Sequence, residues 1–179
     1  MGTKAQQIDL FKGETQPTAS AVFSNDRVYR YVLFRSWGPD GQTIAFIGLN
    51  PSTADETKND PTVSRCINYA KRWGFQSMHM LNIFAFRATD PKAMLRATDP
   101  VGDCNDEWIE NVCKDAHMIV LCWGQHGHYL DRGKEVMESL RKLGKPLHYL
   151  KACKNGMPGH PLYLPADLKP KPYIVESQL

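Results

Sequence analysis

The chain has 179 residues, 42% of them hydrophobic and 23% charged, which is enough for one domain with its own core. A net charge of +3 permits a nucleic-acid partner without requiring one. Five cysteines, an odd number with no C-x-x-C pair, suggest neither a zinc ribbon nor a disulfide framework, and a reducing cytoplasm fits that usage. No apolar run approaches 18 residues and no leader-like segment opens the chain, so neither export nor membrane spanning is expected.

Residues 1–25 are polar, contain Gly13 and Pro17, and read as a flexible arm, with Ile8, Leu10 and Phe11 as a possible docking segment. Residues 26–175 read as a single domain. Tyr29 to Arg35 is rich in aromatic and β-branched residues and runs into the turn signal Gly38-Pro39-Asp40-Gly41. Together with the apolar run Ile44-Ala45-Phe46-Ile47 it predicts an N-terminal β-hairpin leading into the first core strand.

Asp60 followed by Pro61 predicts a helix start, with Val63, Cys66, Ile67 and Ala70 at helical spacing and Gly74 as its stop. Met78 to Phe84 reads as the next strand. Arg87-Ala88-Thr89-Asp90-Pro91 recurs as Arg96-Ala97-Thr98-Asp99-Pro100, the same helix-start chemistry used twice. Asp103 is a candidate cap for a helix through His117, and Met118 to Cys122 is a continuous apolar strand. A charged amphipathic helix then runs to Leu143, and Leu147 to Leu150 is the last short strand.

This order predicts an α/β fold: a three-layer α/β/α sandwich around a four-stranded, mostly parallel sheet. The carboxyl ends of its strands would gather the stretches 48–55, 82–87, 123–128 and 156–164, where open α/β sheets hold ligands. The first of these, Gly48-Leu49-Asn50-Pro51-Ser52-Thr53-Ala54-Asp55, breaks sharply out of a strand, because Pro51 cannot donate to a sheet and Gly48 tolerates unusual backbone geometry.

The chemistry on offer is amide and imidazole, with no metal cluster and no cofactor motif. Asn50 and Asn82 each present a donor and an acceptor on one rigid group, which suits the edge of a base. Asn82 reads equally as a buried amide tying loops together. His160, between Gly159 and Pro161, is either an exposed loop histidine or a donor to a developing anion. Asp55 and Asp60 are candidate general bases, Asp60 more simply a helix cap. Arg87 is either a solvated surface charge or a phosphate contact.

Taken together, Phe46-Ile47-Gly48-Leu49-Asn50-Pro51-Ser52 resembles the first catalytic motif of the uracil-DNA glycosylase superfamily, in the Gly-x-Asn-Pro form of its mismatch-type members. Met80-Leu81-Asn82-Ile83-Phe84 is similar to the strand whose Asn reads the flipped base. Val120-Leu121-Cys122-Trp123-Gly124 looks like that family's Leu-Trp-Gly strand end, and His160-Pro161-Leu162-Tyr163-Leu164 resembles its second, His-Pro motif. The chain also looks like a small bacterial and phage domain family of unknown function.

The glycosylase resemblance covers residues 43 to 165. It implies a monomeric hydrolase that flips a base out of DNA and cleaves its N-glycosidic bond without cofactor or metal. Asn50 would position water, with Asp55 beside it, and His160 would stabilise the leaving base. Asn82, Gly48, Ser52 and Phe84 would surround the base, core packing being the default reading for Phe84, and Leu162, Tyr163 and Arg87 would contact DNA. Ser52 stands where some members carry a Tyr that excludes 5-substituted pyrimidines, so a thymine-like or larger modified pyrimidine is expected. Two other readings stand beside it: a non-hydrolytic nucleic-acid or nucleotide binder, and an unrelated nucleotide-handling α/β enzyme.

Overall fold

A strand with apolar residues on both sides belongs in the middle of a sheet, and β3 (Thr43–Gly48) is there, buried from Ile44 to Gly48. The computed structural model describes residues 18–174, so Ile8, Leu10 and Phe11 lie outside the described residues. Around β3 are β1 (Ala19–Phe23), β2 (Arg30–Ser36), β4 (Ser77–Asn82), β5 (Met118–Leu121), β6 (Leu147–Tyr149) and β7 (Lys171–Pro172). They form one sheet in the order β1-β2-β4-β3-β5-β6-β7. β3 pairs in parallel with β4 and β5, and β5 with β6, whereas the β1–β2, β2–β4 and β6–β7 pairs are antiparallel.

The sheet is therefore seven-stranded and mixed, which corrects the expected four-stranded one. The hairpin is corrected as well. β2 pairs with β1 and β4 rather than with β3, because the 37–42 turn carries the chain across the position that β4 fills. Residues 19–23, expected in the arm, form an outer strand of the sheet.

Among the described residues four α-helices complete the α/β architecture: α1 (Pro61–Arg72), α2 (Pro91–Leu95), α3 (Asn105–Asp115) and α4 (Arg132–Lys142). Alternation along the strands divides the interior into two cores. Ala45, Ile47, Ile119 and Leu121 face Met94 of α2, Ile109 and Cys113 of α3, and Val136 and Leu140 of α4. Ile44, Phe46, Val120 and Cys122 face Val63, Cys66, Tyr69 and Ala70 of α1. No helix among the described residues is long and apolar enough to cross a membrane.

The helix starts follow sequence chemistry with two exceptions. Asp60 Oδ1 accepts from Val63 N at 2.8 Å and Asp90 Oδ1 from Lys92 N at 2.9 Å, each ahead of a Pro at the first helical position. Asp99 instead accepts from Val101 N and Gly102 N, both at 3.1 Å, and closes a turn rather than opening a helix. α3 begins after Cys104, not after an Asp103 cap.

Candidate functional site

β3, β4 and β5 run in parallel, so their carboxyl ends lie side by side at one edge of the sheet. Hydrogen bonds bind the departing loops together there: Ile83 N to Gly48 O at 2.9 Å, Phe84 N to Leu49 O at 2.9 Å, and Cys122 N to Ile47 O at 2.8 Å. Ala88 N to Pro51 O at 2.9 Å and Gly124 N to Pro158 O at 2.7 Å extend the same seam. The four stretches read from sequence thus share one edge.

Gly48 is opposite Asn82 in the parallel ladder, so both positions face the α1 layer. A Cβ on Gly48 would lie 2.6 Å from Met80 Cε and 2.9 Å from Asn82 Oδ1; only glycine lets the Asn82 amide lie against the β3 backbone. Asn82 is 2% exposed and its Nδ2 has no hydrogen-bond partner. A buried amide donor left unpaired costs about 1–3 kcal/mol, so the fold holds this side chain at a cost to stability. Its main chain is fixed from behind: Asn105 Nδ2 donates to the carbonyls of Asn82 at 2.9 Å and Ile83 at 3.2 Å, and Arg132 donates twice to Ile83 O at 3.1 Å. Neither Asn105 nor Arg132 stands out in the sequence, because each sits in a helix pattern where polar residues normally face water.

Asn50 has a different task. Its Nδ2 donates to Pro51 O at 3.1 Å and Ala88 O at 2.9 Å, with a longer contact to Phe86 O at 3.5 Å. The amide nitrogen clamps the 86–88 segment and sets the direction of Oδ1, which accepts from none of the described residues. Ser52 is half-buried in the same loop.

Asp55 Oδ1 accepts from Thr57 N at 2.9 Å and Lys58 N at 2.8 Å, and these backbone donors hold its carboxyl below the usual range. It is thus a turn acceptor and a weak proton acceptor, which withdraws it as a general base. Phe84 is 0% exposed and packs against the Tyr129 ring at 5.8 Å. That places it in the core on the α2–α4 side, the default reading for this side chain, and corrects the alternative in which it stacks on a base.

His160 precedes a short 3₁₀ turn, Pro161–Tyr163, and its Nδ1 accepts from Leu162 N at 3.3 Å. Burial lowers its pKa from the ordinary value, with Asp60 opposing. The neutral ring that accepts at Nδ1 carries its proton on Nε2 and is a donor there. His160 packs on Gly124, at φ 78°, where a Cβ would come 3.2 Å from the His160 Cβ. The ring is therefore anchored just past the end of β5, two strand spacings or about 10 Å across the edge from β4. Leu162 is half-buried and Tyr163 is 82% exposed, 5.4 Å from the His160 ring. Arg87 is half-buried, with Nη1 donating to Arg27 O at 3.1 Å.

The structure also brings in Arg30, which sequence reasoning passed over. It is 2% exposed, and Nη1 donates to Ala54 O at 3.0 Å in the loop that holds Asn50. Burial lowers its pKa to about 10, while Asp60 opposes the shift. The signal available was a charge inside the otherwise apolar run Tyr29 to Phe34. Among the described residues no group of three or more His, Cys, Asp or Glu is placed to hold a metal.

No curated protein and no solved structure matches the chain. One family model does, over residues 30–162, from the first residue of β2 to the turn that follows His160. The chain belongs to the family described as "Protein of unknown function (DUF1643)".

Proposed function

We propose that this protein recognises a flipped, 5-substituted pyrimidine of DNA and hydrolyses its N-glycosidic bond, acting as a cytoplasmic monomer without cofactor or metal. The observation that carries the reading is the Asn82 amide: buried, unpaired at Nδ2, and laid against Gly48, where the absence of a Cβ leaves it room. An amide so placed supplies a donor and an acceptor to a base edge at no further desolvation cost.

In the proposed reaction Asn50 Oδ1 orients a water toward C1′. The water oxygen bonds to C1′ as the C1′–N1 bond breaks, and the bonding pair leaves with the base. His160 Nε2–H donates to the anionic oxygen of the departing base. The amide of Asn50 takes no proton, so the water's proton is released to solvent. The low pKa of His160 supports this role, because a neutral donor keeps its proton while stabilising the anion. Ser52 leaves space at the 5-position, and Leu162 and Tyr163 fill the gap left by flipping.

The same amide supports a second reading, a binder of nucleotides or nucleic acid that performs no hydrolysis. It is favoured by the absence of a free carboxylate from the Asn50 loop, where Asp55 closes a turn.

Oligonucleotides with uracil, mismatched thymine or 5-hydroxymethyl pyrimidines, incubated with the protein and then treated with alkali, separate the two. Alkali-dependent cutting at the modified base, lowered about 100-fold or more in His160→Ala and abolished in Asn82→Ala, is the expected result. Cutting of uracil alone overturns the 5-substituted preference. Binding without cutting leaves the second reading.

A further inference from the structure

Near the Asn50 loop, a buried arginine and a half-buried one lie side by side with no carboxylate in salt-bridge contact with either among the described residues. Residues 28–30 and 85–87 form a short antiparallel pair, with Tyr29 bridged to Phe86, Arg30 N donating to Ala85 O and Arg87 N donating to Val28 O, both at 3.0 Å. Tyr29 and Phe86 meet edge-to-face on one side of this ribbon. Alternation therefore puts Arg30 and Arg87 together on the other side as a diagonal pair, a separation that long side chains span. Phe23 joins them, since it is opposite Arg30 in the β1–β2 ladder and its ring lies 4.9 Å from the Arg87 guanidinium.

The Nε atoms of Arg30 and Arg87 are both buried and without a partner. Neither arginine has a carboxylate within salt-bridge distance among the described residues. Neighbouring cations are accounted for: Arg27 is held by Glu56 at 2.7 and 3.0 Å, and Arg35 donates to Asn59 Oδ1 and to the carbonyls of Asp55 and Lys58. A buried guanidinium without an anion, beside a second like charge, is costly to maintain for packing alone. Paired guanidinium forks match the oxygens of a phosphate.

We propose that Arg30 and Arg87 form a phosphate-binding site on the flank of the Asn50 loop, taking the phosphate of a nucleotide or of a nucleic-acid backbone. Its link to a nucleotide rests on the base-reading role of Asn82; the phosphate site itself does not.

Thermal denaturation of the full chain in inorganic phosphate, against chloride at equal ionic strength, tests the site alone. A rise in Tm with phosphate that Arg87→Gln and Arg30→Gln lose, and that exposed Arg141→Gln keeps, is the expected result. Arg87→Gln decides the matter if the more buried Arg30→Gln fails to fold. Calorimetry with thymidine, thymidine 5′-monophosphate and the dinucleotide TpT then names the source. Binding at least tenfold tighter for both phosphorylated ligands than for thymidine assigns a backbone phosphate, and tighter binding of the monophosphate alone assigns a free nucleotide. No phosphate-dependent rise in Tm, or one that survives in Arg87→Gln, overturns the site. Failure of thymidine to bind, with the phosphate rise intact, overturns the base reading and leaves the phosphate site standing.

Discussion

Gly48 and Asn82 are a single device, one residue making room for the other. Gly48→Ala puts a methyl 2.6 Å from Met80 Cε and 2.9 Å from Asn82 Oδ1, and we expect a loss of about 1–3 kcal/mol in chemical denaturation together with loss of the proposed base binding. His79 illustrates a titrating group away from the site. Burial holds its pKa at about 4, against an ordinary 6.5, with the ring 4.9 Å from Phe34 and Nδ1 unpaired. The unfolded chain therefore binds more protons than the fold between about pH 6.5 and 4, so stability is full above that window and falls as pH drops through it. The contribution reaches about 3 kcal/mol, and Tm measured from pH 7 to 4.5 should fall less steeply in His79→Phe than in the wild type. An equal slope in both would refute it. Such residues differ in how far sequence exposes them. Gly48 and Asn82 were legible because each interrupts an apolar strand. Arg30 was not, because its missing partner is a property of the 28–30 and 85–87 pairing, and Phe84 went to the core because Tyr129 arrives from a distant turn.

Among the elements, α4 tests packing against propensity. Gly133 lies inside the helix, where replacement by alanine normally gains about 1 kcal/mol. Here a Cβ would meet the Gly127 carbonyl at 2.7 Å and Trp123 Nε1 at 3.1 Å, because the indole is enclosed between the two glycines. Since the carbonyl is backbone and cannot turn away, Gly133→Ala should destabilise, and a raised Tm would show the contact to be soft. Asp60→Ala should cost about 1 kcal/mol through the lost bond to Val63 N. The helices were readable in order because Asp-Pro starts and apolar spacing are local signals. Asp99-Pro100 misled for an equally local reason: Gly102 at φ 84° turns the chain away before a helical turn can close. β1 was missed because five half-buried residues at the outer edge carry little periodic contrast.

Across the whole molecule, the sheet is one hydrogen-bonded unit separating two apolar layers, and this governs how it should unfold. The order of strands explains which part of the architecture was visible in sequence. Alternating strands and helices announce the parallel pairs β4, β3, β5 and β6, whereas the antiparallel additions β1, β2 and β7 depend on where distant segments dock. Ile44 faces α1, while Ile109 lies in α3 on the opposite side, and both are almost fully buried. Truncation of either to alanine should cost about 2–5 kcal/mol, as for any large aliphatic group removed from a core. If the β3 ladder couples the layers, each variant shifts the same single transition seen by circular dichroism and by tryptophan fluorescence. Trp123 packs in the α2–α4 layer and Trp73 against Phe46 beside α1, so fluorescence reports both sides at once. A biphasic melt, in which Ile109→Ala moves one phase and Ile44→Ala the other, would divide the chain into two cooperative units. The proposed base and phosphate sites would then report on the same one, because Gly48 and Asn82 face the α1 layer and Arg30 bonds the carbonyl of Ala54, which packs in that layer.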